Sequence, residues 1–147
     1  MRKILFNSFV LLIFALSSFV FQITSCKKAT AQTTSLSYPI QGLWIGTYTV
    51  DGQSSVGEQY FSFIIKPDGT IIADTKWGTQ QHLAIGTWTL TGSTFNCSFT
   101  CVYGSQSNIG VTETSSASWD KAGKLVGNWK NTPPNSGTGN ITLNRIN

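Results

Sequence analysis

The side chains able to do chemistry are few: one histidine, three cysteines and six acids in 147 residues. His82 stands without a nearby cysteine cluster or carboxylate motif, so it makes a poor zinc site, and its place at the start of a strand-like run favours a solvated or edge position. Cys97 and Cys101 invite a disulfide. Four residues along a strand are about 13 Å apart, whereas bridged Cα atoms sit within about 7 Å. A straight strand therefore keeps both thiols free, and only a bulge or turn at residues 98–100 would join them. Asp51, Asp68 and Asp120 fall in turn signals that already account for them. Asp74 and Glu113 fall within strand-like runs, and nothing pairs two carboxylates as a glycosidase needs. No catalytic constellation, metal site or cofactor is expected, and the chain is read as a non-enzyme.

The third cysteine has a different setting. Arg2 and Lys3 precede an apolar stretch, residues 4–23, broken only by Asn7, Ser8, Ser17, Ser18 and Gln22. That is the layout of an export signal, although about 20 residues could also span a bilayer uncleaved. The stretch ends in Ile23-Thr24-Ser25-Cys26. These four residues resemble the lipobox of bacterial lipoproteins, in which a small-residue site is cut before a cysteine whose thiol takes a diacylglyceryl group. The resemblance implies a lipid on Cys26 and attachment to the cell envelope, at the outer membrane. A second small-x-small site, Ala29-Thr30-Ala31, gives an exported chain as well.

The expected organisation is a signal peptide over 1–25, a lipid-anchored tether over 26–39 and one domain over 40–147. The tether is polar and small, without period. Of ten basic residues, Arg2 and Lys3 leave with the signal, so eight remain against six acids. No basic cluster marks a nucleic-acid surface.

Beyond the tether no apolar repeat has helical spacing. Threonine, glycine and aromatic residues dominate, and turn signals such as Asp51-Gly52, Pro67-Asp68-Gly69 and Thr91-Gly92 recur at short intervals. Between them lie eight strand-like runs, at residues 43–50, 58–66, 70–77, 82–90, 95–103, 111–119, 124–130 and 140–146. Short connections favour an antiparallel meander. The expectation is all-β: an eight-stranded up-and-down barrel, with a two-sheet β-sandwich as the alternative.

Alternation places Phe61, Phe63 and Ile65 on one face, and Phe95, Cys97, Phe99, Cys101 and Tyr103 on one face. Elsewhere the faces compete, and the tryptophan faces are assigned inward because they bury more apolar area. The interior set is then Trp44, Tyr48, Phe61, Phe63, Trp88, Phe99, Tyr103 and Trp129. Glu113 and Ser115 share the phase of Ala117 and Trp119. Three explanations stand: a slipped register, pairing with a cation such as Arg145, or a wet cavity.

A short element recurs in Gly42-x-Trp44, Gly86-x-Trp88 and Gly127-x-Trp129. With Gly42-x-Trp44 on the first strand and Arg145 on the last, the chain resembles the calycin group, and most closely the small lipocalin-like domains of bacterial lipoproteins. The resemblance implies that Arg145 stacks on Trp44 and closes one end of the barrel. It implies a small, largely apolar ligand in the interior, bound without catalysis. The rival readings are a solid barrel whose loops bind a protein, and carbohydrate binding through exposed tryptophans.

Overall fold

The computed structural model describes residues 39–146; Cys26, the signal segment 1–25 and nearly all of the tether lie outside the described residues. Every strand-like run becomes a strand: β1 (Gly42–Tyr48), β2 (Gln59–Ile65), β3 (Thr70–Trp77), β4 (Gln80–Thr91), β5 (Thr94–Tyr103), β6 (Thr112–Trp119), β7 (Lys124–Asn131) and β8 (Thr138–Ile146). Each pairs antiparallel with its neighbours in sequence, and β1 pairs with β8, so the sheet closes on itself as a barrel. That last pairing removes the sandwich, because two packed sheets would leave free edges that this molecule lacks.

The strand phases follow the large aromatics. Trp44, Phe63, Phe95 and Phe99 are all essentially inaccessible, and all five tryptophans take inward phases with none exposed. The structure therefore offers no outer row of indoles for carbohydrate. The outward phase carries an aliphatic row instead. Leu43 pairs with Ile146 and Ile64, Ile64 with Ile72, and Ile72 with Ile85.

One end of the barrel is closed. Trp44, Phe63, Ile65, Ile71, Phe95, Leu125 and Leu143 fill it without leaving accessible surface, and Trp88 stacks on Phe95 at 6.1 Å between ring centroids. The Trp44 indole N–H donates to the Ile40 carbonyl at 2.8 Å, which draws the incoming chain under the barrel. Arg145 lies opposite Trp44 in the β1–β8 register. Its Nη2 donates to the Gln41 carbonyl at 3.3 Å, and its guanidinium lies over Gly42, where a Cβ would meet Nε at 3.3 Å. Gly42 also has φ +138°, a backbone state that side chains disfavour.

The other glycines of the recurring element, Gly86 and Gly127, face neighbouring backbone. A Cβ on Gly86 or Gly127 would collide with the carbonyl of Ser98 or Ser116 on the neighbouring strand. What occupies that space is backbone, so these glycines let adjacent strands close up where the sheet bends.

Candidate functional site

The opposite end is open. Three of its four connections are long: residues 49–58, 104–111 and 132–137, beside the two-residue turn 78–79. Within their ring the interior positions change character. Tyr48 of β1, Phe61 of β2, Thr75 and Trp77 of β3, His82 of β4, Cys101 of β5, Glu113 of β6, and Trp129 and Asn131 of β7 surround a cavity of about 520 Å³. Gln53, Ser105, Asn108 and Asn135 add a polar rim from the loops. That volume lies within the usual range of small-molecule sites, roughly 300–1,000 Å³.

The walls are set by ring contacts centred on Tyr48. Its ring meets Phe61 edge-on at 5.8 Å, Trp129 edge-on at 5.9 Å and Trp77 at 6.5 Å. The polar handles of these rings are fastened to backbone. The Tyr48 hydroxyl donates to the Lys76 carbonyl at 3.1 Å, and the Trp129 indole N–H donates to the Thr49 carbonyl at 2.9 Å. The rings therefore form a prearranged wall with little freedom to collapse inward. Phe99, 5.6 Å from Phe63 and 6.4 Å from Phe61, packs beneath the Phe61 wall as the floor layer of the packed core.

His82 is buried, contrary to the expected edge position. The alternation that sends Trp88 inward sends His82 inward too. The Asn108 amide donates to its Nε2 at 3.0 Å, and its ring lies against Gly104, where a Cβ would collide with Cδ2. The histidine thereby ties the 104–111 loop to the barrel wall.

Glu113 faces the cavity, which decides among the three explanations of its phase. It sits between Phe99 on β5 and Asn131 on β7, and Arg145 lies at the closed end. Burial pushes its carboxyl up to about 7, and among the described residues no hydrogen bond or ion pair offsets that burial. Tyr48 is pushed up to about 12, first by burial and then by the charge of Glu113. Burial likewise raises the Cys97 thiol to about 12 and the Cys101 thiol in the same direction. Both thiols are free, as a straight run between them requires.

The expected interior residues separate into three groups. Tyr48, Phe61 and Trp129 line the cavity. Trp44, Phe63, Trp88 and Phe99 are interior but belong to the packed core or the floor. Tyr103 is a correction: it is 60% exposed on the outer surface. β4 pairs Ala84 with Cys101 but Leu83 with Tyr103, so Val102 is an extra residue and the bulge rotates Tyr103 out of phase. Trp77 and Thr75 were missed, although Ile71, Ala73, Thr75 and Trp77 alternate on one face. A second concavity lies against β4–β7, lined mainly by outward threonine, serine and asparagine such as Thr87, Asn96, Ser98 and Thr114. It is an open surface that lacks the enclosed aromatic wall.

No family model matches the chain, and no curated protein does. Among solved structures, the chain is similar to a redesigned β-barrel, mFAP1, bound to DFHBI. The TM-score is 0.51 at 16% identity, over 71% of this chain and 94% of that one. The likeness is one of fold.

Proposed function

We propose that the barrel is a non-catalytic binding module of the cell envelope, held by a lipid on Cys26, that takes a small ligand with an apolar or aromatic body into its open end. The observation that carries this reading is the cavity of about 520 Å³, walled by Tyr48, Phe61, Trp77 and Trp129. A barrel that worked as a solid interaction module would have no reason to keep large interior positions unfilled, since an empty interior forfeits packing. The designed barrel of the same fold, solved with DFHBI bound, is consistent with a ligand role. The polar rim tempers the largely apolar ligand expected from sequence: the ligand carries hydrogen-bonding groups at its outer end. In this reading His82, whose Nε2 is engaged by Asn108, holds the 104–111 loop in place and is not a catalytic base.

The test is native mass spectrometry of the chain extracted from membranes in detergent, followed by solvent extraction of what it carries. A reproducible small molecule is expected on the wild type and absent from Thr75→Phe, which fills the cavity beside Phe61. A bare wild-type mass, with tryptophan fluorescence indifferent to small aromatic probes, would transfer the function to the loops. Cys26→Ala is expected to lose lipid labelling and membrane retention; persistence of both would remove the envelope anchor.

A further inference from the structure

Glu113 is the one aspartate, glutamate, lysine or arginine among the residues lining the cavity. A carboxylate in that position is costly, because burial removes its water and nothing in the wall replaces it. Yet it stands in an aromatic enclosure, and the faces of tyrosine and tryptophan rings attract positive charge. Beyond the cavity the open end leans the same way. Asp51, Glu58, Asp74 and Glu113 lie in its half of the barrel, against Lys76 and Lys130. The closed half has the reverse balance, with Lys66, Lys121, Lys124 and Arg145 against Asp68 and Asp120. An acidic mouth leading to a lone acid focuses a potential that draws cations in.

Resting on the reading of the cavity as a ligand site, we infer that its ligand is an organic cation: an ammonium or amidinium group on an apolar body, held between the Glu113 carboxylate and the rings of Tyr48, Phe61 and Trp129. The cation supplies the partner that the wall withholds, and the apolar body takes the space above Phe99. A neutral ligand of the same shape would bury the carboxylate further and gain nothing from it. Binding is therefore linked to protonation. A cation expels the proton that burial favours on Glu113, whereas a neutral ligand favours its uptake. The other titratable groups facing Glu113 are Tyr48 from β1, His82 from β4, and Cys97 and Cys101 from β5. Glu113→Gln separates the contribution of Glu113 from theirs.

The experiment compares two probes of one shape, (3-hydroxyphenyl)trimethylammonium and its uncharged counterpart 3-tert-butylphenol, by calorimetry on the chain in detergent. At about pH 8 the cation is expected to bind about tenfold more tightly. That preference should shrink to about twofold or less in Glu113→Gln, and in the wild type as the pH falls to about 5. Near neutral pH, heats measured in two buffers should show proton release with the cation in the wild type alone. Equal or tighter binding of the phenol to the wild type at about pH 8 overturns the inference and leaves the cavity as a ligand site. A preference that survives Glu113→Gln also overturns it. If neither probe binds at millimolar concentration, the ligand cavity itself falls, and the inference with it.

Discussion

The two ends of this barrel are made by the same eight strands and solve opposite problems. At the closed end the connections are short, residues 66–69, 92–93 and 120–123, and the interior positions are Trp44, Phe63, Phe95, Leu125 and Leu143. At the open end the connections reach ten and eight residues, at 49–58 and 104–111, and the interior positions become Tyr48, Thr75, His82, Glu113 and Asn131. Strand for strand, the chain trades a large apolar residue for a smaller or polar one a few positions further along. Closure of the sheet makes that trade tolerable. The closed end supplies a continuous apolar core, and the hydrogen-bonded ring carries its rigidity upward to walls that are not packed against one another. The packed core and the candidate cavity are thus separated along the barrel axis.

The largest expected break in that contrast is Trp44→Ala. It empties the closed end and is expected to cost roughly 3–5 kcal/mol in denaturant unfolding, whereas Thr75→Ala, at the other end, should cost under about 1 kcal/mol because its neighbour is cavity. Equal losses would mean that the two ends share one core. A smaller effect concerns pH. Burial raises Glu113 to about 7 in the folded barrel, from its ordinary 4.5. The folded state thus holds a proton that the unfolded chain gives up more readily. Its contribution is fully present below about pH 4.5 and is lost as pH rises through about 7, up to about 3 kcal/mol. Thermal melts of the wild type should therefore fall across that window, and Glu113→Gln should flatten the profile. An unchanged slope in the variant would place the titration elsewhere. The smallest effect is that of Tyr103→Ser, within about 0.5 kcal/mol, since the ring is on the outer surface. A loss of several kcal/mol would return Tyr103 to the interior.

The strands were legible because a period of two, cut by Asp-Gly and Gly-Ser turns, is written locally in the chain. Closure was legible only by count. The β1–β8 pairing joins residues about a hundred positions apart, such as Trp44 and Arg145, and no short stretch encodes it. Assigning the tryptophan faces inward was sound, and followed consistently it also places His82 and Glu113. His82 reads as an edge position because it opens its strand-like run, whereas the phase it shares with Trp88 turns it inward. Tyr103 failed for another reason: the bulge at Val102 carries no glycine or proline to announce it. The cavity was beyond local reading altogether. Whether Tyr48, Thr75 and Glu113 leave space between them depends on volumes contributed by strands on opposite sides of the ring.

Ile40 supplies the carbonyl that caps Trp44, and Arg145 reaches back to Gln41, so the described chain begins and finishes at the floor of the barrel. Pro39 and Ile146, the two ends of the described chain, therefore both lie on the side of the barrel opposite the rim. A fixed point placed directly at Pro39 or Ile146 would lie away from the cavity. The opening of the cavity and the two ends of the described chain thus occupy opposite sides of one ring of strands.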